Sequence, residues 1–324
     1  MGRIFILFLV LPALFTCKEK TRYVQLTERP QEPLRYYISK DSLIGVKDDK
    51  GRIVISARGR WIYDLNDGDT VREGLIHLFE LDDKISRPGS STPGSFGKMY
   101  SRDGKFLYNP FMYDNGPDEI NEGLTRFVEN DKVGFIDRHA NRIIPAQFNG
   151  VGSFELGTAI FSTGGFYDTT EDREHPLLKD AVYGVVDRRG KILLDRIQYD
   201  TSIHFWKKLL SLHQQFYQGQ FIYSEFEKNL IARFGPYKRA IERTYFSNWV
   251  GFPEPKSLKF DITERPSPGF PYYVIDLAEV VGNEIRRGDQ LKFYISENGN
   301  EIFNHSWDGQ IIPFLEWYRE YVNE

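Results

Sequence analysis

The residues best suited to acid–base chemistry are three acids near the C-terminus, Glu279, Glu284 and Asp289. Two carboxylates on either side of a scissile bond support hydrolysis, one as general acid and the other as base or nucleophile. The sequence contains no Gly-x-Ser-x-Gly, P-loop or His-Glu-x-x-His motif that would indicate another mechanism. A cell-envelope hydrolase with its site in the C-terminal region is therefore our alternative hypothesis, and a non-catalytic protein is the main one.

Candidate metal ligands are scattered along the chain. His204 and His213 have no third ligand nearby in the sequence, whereas zinc sites use at least three protein ligands. The acidic groups Asp48-Asp49, Asp67 with Asp69, and Asp82-Asp83 lack the glycine and the distant glutamate of an EF-hand loop. We interpret these acids as turn residues and predict neither a metal nor a cofactor.

The single cysteine, Cys17, follows an apolar stretch at the N-terminus. Residues 4–15 carry no charge, Arg3 precedes them and Lys18 follows the cysteine. An apolar stretch of this length is too short to cross a hydrocarbon core of about 30 Å as a helix, but it suits the hydrophobic region of a signal peptide. Leu14-Phe15-Thr16-Cys17 resembles a bacterial lipobox, in which the cysteine becomes the acylated first residue of the mature protein.

This resemblance implies a lipoprotein-type signal peptide at residues 1–16 and lipid attachment at Cys17. Residues 17–35 are charged and contain two prolines, which suits a tether between a membrane anchor and a folded body. We therefore predict a lipid-anchored protein of the cell envelope, on the outer membrane or on a membrane surface facing the periplasm. An ordinary secretory signal and an intracellular scaffold are the alternatives.

The composition favours β-structure and argues against nucleic-acid binding. The chain has 324 residues with 25 Phe and 19 Tyr, and such aromatic residues fit pleated, half-buried surfaces. A formal net charge of −4 provides no general attraction to nucleic acid. The aromatic pairs Tyr36-Tyr37, Tyr272-Tyr273 and Trp317-Tyr318 are interpreted as core residues, with a sugar-stacking or partner surface as the alternative.

Three segments share a pattern that predicts β-hairpins. They begin at glycines 45, 134 and 184 and have the sequences GVKDDKGRIVIS, GFIDRHANRIIP and GVVDRRGKILLD. Each has an aspartate at its fourth position, Asp48, Asp137 or Asp187, followed by a turn and a second apolar run. A weaker fourth copy, at residues 98–108, has Ser101 in place of the aspartate. The phrase Glu-Gly-Leu or Glu-Leu-Gly recurs at residues 73, 122 and 155, before further alternating strands.

The turn residues have predictable roles. An aspartate side chain accepts hydrogen bonds from nearby backbone N–H groups, and Gly51, Gly104 and Gly190 can adopt the left-handed conformation that the turn needs. Ala140 stands at that position in the second full copy. We expect Asn141 to take the left-handed conformation there, because Asn tolerates it better than other non-glycine residues.

The segment EGLTRFVENDKVGFIDRHANRIIPAQF resembles the WG (KWG) β-repeat of bacterial secreted and surface proteins. Lys132 to Asp137 match the motif's core, with Val133 at its tryptophan position, and Pro145 and Phe148 match later positions. The resemblance covers residues 36–200. It implies an array of stacked β-hairpin units that binds a protein or glycan partner, and the family has no shared catalytic residues.

The remaining residues, 201–324, predict a smaller α+β domain of unrecognised family. Two amphipathic helices before Gly235-Pro236 are predicted by the apolar residues Phe205, Leu209, Leu212 and Phe216, and then Phe226, Leu230, Ile231 and Phe234. Strands are predicted at 258–262, 272–277, 291–296 and 301–304, and a last helix begins at Pro313. The predicted fold is thus a mainly β repeat array followed by a smaller α+β domain.

Overall fold

The computed structural model describes residues 33–60, 65–71, 74–80, 93–113, 116–168, 177–198, 208, 211–212, 215–217, 221–247, 256–282, 284–305 and 311–322. Within these ranges the chain is mainly β, as predicted, and its sheets are antiparallel. Cys17, the two histidines His204 and His213, and the acids Asp82 and Asp83 lie outside the described residues. In the described part of the chain, no helix is long and apolar enough to cross a membrane.

The first sheet consists of strands β1 (Leu34–Ile38), β2 (Ile44–Asp48) and β3 (Ile53–Gly59), in that order. Its alternating apolar residues, among them Tyr36, Val46 and Ile55, are buried in a common core. The following strands are β4 (Ile76–Leu78), β5 (Lys98–Tyr100), β6 (Phe106–Pro110), β7 (Met112–Tyr113), β8 (Gly116–Pro117), β9 (Leu124–Glu129), β10 (Lys132–Asp137) and β11 (Arg142–Phe148). Six of them form a sheet in the order β11-β10-β9-β6-β5-β4, and β7 pairs with β8.

A four-stranded sheet follows, made of β12 (Gly150–Val151), β13 (Thr158–Asp168), β14 (Leu177–Asp187) and β15 (Ile192–Gln198). Phe161 on β13 stacks on Phe148 on β11, with ring centroids 4.7 Å apart. The ring centroids of Phe135 on β10 and Phe154 are 4.6 Å apart. The second and third sheets therefore share one aromatic core, which also contains Val186.

The glycine at the start of each hairpin copy is explained by close packing. A Cβ on Gly45 would lie 2.6 Å from the ring of Tyr37, and one on Gly134 would lie 2.5 Å from the Ile144 carbonyl oxygen. Gly184 is pressed in the same way against the ring of Phe161. Because any side chain would collide with the neighbouring strand, glycine is required at all three positions.

The C-terminal part is a five-stranded sheet covered by helices. Its strands are β16 (Lys256–Glu264), β17 (Tyr272–Val281), β18 (Glu284–Ser296), β19 (Ile302–His305) and β20 (Ile311–Pro313), in sequential order. Its helices are α1 (Glu225–Ala232), α2 (Gly235–Tyr245) and α3 (Phe314–Val322). Phe234, between α1 and α2, is 1 % exposed and packs on Phe260, Phe293 and Phe314.

The helices differ in one respect from the sequence prediction. Gly235-Pro236 was expected to end the helical region, but it begins α2, with the proline in the first turn. Proline lacks only an N–H that has no partner at this position, and its fixed φ suits a helix start. Of the first predicted helix, residues 208, 211–212 and 215–216 are helical, whereas Phe205 and Leu209 lie outside the described residues.

Candidate functional site

The three predicted aspartates form the same hydrogen bonds in the three hairpin turns. Oδ1 of Asp48 accepts from the backbone N–H groups of Lys50 and Arg52, at 2.9 and 2.8 Å. Oδ1 of Asp137 and Asp187 accepts from the residues two and four positions on, at 2.8 to 2.9 Å. The carboxylates are therefore engaged by backbone donors. Burial opposes ionisation of Asp48, but Arg52, through its N–H and guanidinium, lowers the pKa of this carboxyl.

The left-handed residue follows the aspartate, or Ser101 in the fourth copy, by three positions. Gly51, Gly104 and Gly190 have φ of 79°, 85° and 84°. In the central hairpin this residue is Ala140, at φ 63°, so the expectation that Asn141 would take the position is wrong. Asp137 determines which residue is left-handed, because its backbone carbonyl accepts from the Ala140 N–H at 3.0 Å. Asn141 instead donates its side-chain Nδ2 to Asp137 Oδ2 at 2.9 Å.

Ser101 takes the aspartate's place in the fourth copy. Its Oγ accepts from the Lys105 N–H at 3.1 Å, and its backbone carbonyl accepts from Gly104 N–H at 2.9 Å. The hydroxyl thus supports the same turn but accepts from one backbone N–H group, whereas each aspartate accepts from two. This geometry, a turn closed by a left-handed residue, is a common way to join antiparallel strands.

Two-residue turns precede the hairpins of Asp137 and Asp187 in the sequence. Glu122-Gly123 and Leu156-Gly157 both have two successive left-handed residues, with φ between 52° and 83°. Each closes with a pair of backbone hydrogen bonds, between Asn121 and Leu124 and between Glu155 and Thr158. The recurring Glu-Gly-Leu and Glu-Leu-Gly phrases at 122 and 155 therefore build equivalent turns. Residue 73, the start of the third such phrase, lies outside the described residues.

Glu122 connects these turns to one another. Its side chain is 5 % exposed, and Oε2 accepts from the Gly157 N–H at 2.9 Å. The Arg188 guanidinium donates to the Glu122 backbone carbonyl. Burial raises the pKa of Glu122 to about 7, although the Gly157 N–H, Arg188 and Arg287 favour the charged form. A carboxyl with this pKa titrates near neutral pH.

The central hairpin turn contacts the C-terminal sheet. The Arg138 guanidinium donates from Nε and Nη2 to the two carboxylate oxygens of Glu264, both at 2.8 Å. It also lies over the ring of Phe270, 3.7 Å from the centroid. His139 Nε2 is 2.8 Å from the Ser267 hydroxyl oxygen. These contacts join a β-hairpin to a sheet more than a hundred residues away in the sequence.

Two cavities meet at this turn. The larger, of about 610 Å³, lies between the second sheet and the Pro268-Gly269 turn, and we call it the large cavity. Its lining includes His77, Tyr108, Asp118, Arg138, His139 and Phe270. The smaller, of about 430 Å³, is lined by Arg138, Arg188, Arg189 and Arg265, and we call it the arginine cavity. Both volumes lie in the range of small-molecule sites.

Titratable groups in the large cavity have partners within the protein. Asp118 accepts from Arg126 Nε and from the Arg126 backbone N–H, both at 2.9 Å, and the pair is buried. His77 Nε2 lies 2.7 Å from the Phe96 carbonyl oxygen, and burial lowers the pKa of the imidazole. A neutral imidazole with Nε2–H as the donor fits this contact. No arrangement of nucleophile and base is evident among these partners.

No protein family, curated protein or solved structure matches this chain.

The candidate hydrolytic acids have separate environments. Glu279 on β17 is 7 % exposed and accepts from the Tyr245 hydroxyl. Glu284 on β18 is exposed and pairs with Arg286, while the side chain of Asp289 lies outside the described set. Within that set, no three His, Cys, Asp or Glu residues come close enough to hold a metal ion.

The structure brings together residues that the sequence analysis had not singled out. Arg138, Arg188, Arg189 and Arg265 converge at one cavity, and three of them lie between an aspartate and the left-handed residue of a hairpin turn. Those turns contain Arg-His and Arg-Arg, whereas the first hairpin contains Asp-Lys, so a comparison of the copies could have revealed the difference. Among the aromatic pairs, Tyr36, Tyr272 and Trp317 are buried in the core.

Proposed function

We propose that this chain is a lipid-anchored, non-catalytic protein of the bacterial cell envelope, with a WG-like β-hairpin array that binds a protein or glycan partner. The observation that carries the proposal is the use of the recurring aspartates. Their carboxylate oxygens accept from backbone N–H groups in the turns, which makes them structural rather than catalytic.

Contacts between hairpins support the array. The backbone carbonyl of Val54, on the return strand of the first hairpin, lies directly against Gly104 in the next hairpin turn. Gly190, in the last turn, packs against the side chain of Ile144, and a Cβ there would be 3.5 Å from it. In both cases a turn rests on the return strand of another hairpin copy. Units that cannot bury their apolar faces alone gain stability in this way.

The second residue after the turn aspartate supports a binding role. The side chains of Lys50, His139 and Arg189 occupy equivalent positions and are exposed. His139 lines both cavities and Arg189 lines the arginine cavity, so two of these positions are at the sites where a partner would bind. The backbone hydrogen bonds to the aspartate are the same in the three turns, whereas the side chain at this position differs. Each hairpin therefore has a different surface.

Metabolic labelling with a fatty acid tests the anchor. The full chain, expressed in a bacterial host, is compared with Cys17→Ala and with Thr16→Ser, which changes the neighbouring residue but keeps the thiol. We expect label in the wild type and in Thr16→Ser, and no label in Cys17→Ala. An unlabelled wild type would contradict the anchor.

A pull-down from envelope extract tests the binding role, with the detergent-solubilised full chain as bait. His139→Ala removes an exposed side chain from the cavities, and Lys50→Ala removes the equivalent side chain of the first hairpin. We expect a specific partner to be recovered with the wild type and with Lys50→Ala, and in reduced amount with His139→Ala. Absence of any such partner, together with a hydrolytic activity of the chain, would refute the proposal.

A further inference from the structure

The arginine cavity has an excess of positive side chains. Four arginines line it, three from the hairpin turns at Asp137 and Asp187 and one, Arg265, from the position directly after β16, and the acids in its lining are Asp137 and Glu264. Its remaining lining includes Ser267, His139 and the ring of Phe221. The site thus combines cationic and polar side chains with an aromatic ring.

Both acids of the lining are already occupied. The two oxygens of Glu264 accept from Arg138 at 2.8 Å. Asp137 accepts from the N–H groups of His139 and Asn141 and from the Asn141 side chain, at 2.8 to 2.9 Å. The carboxylate oxygens of both acids are therefore already hydrogen-bonded within the protein.

Arg188 and Arg265 are held in place by contacts with neighbouring residues of the protein. Arg265 donates to Glu227, from Nε at 2.6 Å and from Nη2 at 3.0 Å, and lies 4.4 Å from the centroid of Phe221. Arg188 lies over the same ring at 5.5 Å and donates to the Glu122 carbonyl. Glu227 itself is fixed by a capping box with Ser224 at the start of α1. Fixed guanidinium groups lose little conformational entropy when they bind an anion.

Arg189 differs from the other three arginines. Its side chain is exposed at the cavity, and within the described part of the chain its guanidinium has no hydrogen-bond or ion-pair partner. Its backbone N–H donates to Asp187 Oδ1 at 2.9 Å, which fixes the turn without involving the side chain. The guanidinium therefore has its full set of donors for a ligand.

We propose that the arginine cavity binds an oxyanion, a phosphate or carboxylate group carried by the partner, and that Arg189 supplies the charge-assisted hydrogen bonds that hold it. The fork of a guanidinium matches the oxygens of both groups. The inference rests on the proposed binding function, because it names the chemistry that the partner presents at this end of the turn.

Calorimetric titration of the full chain tests the proposal. Inorganic phosphate and malonate are titrated separately at constant ionic strength into the wild type, Arg189→Gln and Lys50→Gln. Lys50 occupies the equivalent position of the first hairpin and is exposed, so its replacement removes one positive charge without touching the cavity.

We expect saturable binding of at least one of the two anions to the wild type and to Lys50→Gln. Loss of a charge-assisted bond in Arg189→Gln weakens it by about tenfold or more. Saturation by phosphate alone assigns a phosphate-bearing ligand, and saturation by malonate alone assigns a carboxylate-bearing one. The proposal is overturned if neither anion saturates the wild type, or if both variants bind as tightly as the wild type. Equal weakening in the two variants also overturns it, because that result reflects general electrostatic attraction. If only these titrations fail, while the fatty-acid label and the His139-dependent partner are found, the proposed function stands.

Discussion

Replacing Glu122 with glutamine tests the electrostatics of the buried turn. The pKa of this carboxyl rises from an ordinary 4.5 to about 7 because the group is buried. Between these two values the folded chain holds the proton more tightly than the unfolded chain, so the free energy of unfolding falls as pH rises. At about 1.4 kcal/mol for each pKa unit, the whole loss amounts to about 3 kcal/mol.

Glutamine has nearly the shape of the protonated acid, and its carbonyl oxygen can still accept from Gly157. The variant therefore keeps the 2.9 Å bond and removes the titration. We expect the stability of Glu122→Gln relative to the wild type to increase by about 3 kcal/mol between about pH 5 and about pH 8. This difference between pH values cancels both the titration of all other groups and the pH-independent effect of the substitution.

Urea denaturation of both chains, followed by circular dichroism at four pH values across this range, measures the change. The denaturant dependence should be the same in the two chains, because the substitution does not change the surface exposed on unfolding. A relative stability that is flat with pH, or that decreases, would refute the reasoning. It would mean that Arg188 and Arg287 hold the carboxylate ionised in spite of its burial.

Three further predictions concern the turns and their contact with the C-terminal sheet, and urea denaturation measures each of them. Gly51→Ala places a side chain at φ 79° in open space and should lower the free energy of unfolding by about 1 kcal/mol. The matched Gly74→Ala, whose φ is not left-handed, should change it by less than about half of that, and equal losses would contradict the conformational explanation. Asp187→Ala leaves the N–H groups of Arg189 and Lys191 without their acceptor and should lower the free energy of unfolding by about 2 kcal/mol. Asp187→Asn keeps Oδ1 and should lower it by less, and the reversed order would count against the turn's hydrogen bonds as the cause. Arg138→Ala leaves the largely buried Glu264 without its partner and should lower the free energy of unfolding by about 3 kcal/mol. Arg138→Lys keeps the charge but not the bidentate geometry, so we expect an intermediate loss, and an unchanged stability in both variants would contradict a structural role for the pair.

Local features of the fold could be predicted from the sequence because local interactions determine them. The strands around Asp137 and Asp187 follow from alternating apolar residues and from turn residues whose hydrogen bonds span four positions. The turn between β18 and β19 lies between the strands predicted at 291–296 and 301–304, and Gly299 has φ of 74° there. The left-handed alanine was not predicted, because intrinsic preference favours Asn141, whereas the bonds to Asp137 determine which residue takes the strained position.

The candidate site could not be predicted because its contacts are distant in the sequence. Arg138 and Glu264 are 126 positions apart, and no periodicity or motif relates them. Burial of Glu122 depends on the packing of two turns and a third hairpin, which the Glu-Gly-Leu phrase does not specify. Helix α2 was missed for a different reason, since Gly-Pro was interpreted as the end of a helix although proline is equally suited to its first turn.

In the hairpin turns, the residues that maintain the fold differ from those whose side chains form the exposed surface. In the turn Asp187 to Lys191, the aspartate and the left-handed glycine are required, whereas Arg188 and Arg189 contribute only backbone atoms to the turn's own hydrogen bonds. Mutations at the exposed second position after the aspartate, Arg189 in this turn, can therefore change the surface with little loss of stability. This position is a suitable site for grafting new side chains, and under the proposed binding function it offers evolution a route to new partners on an unchanged framework.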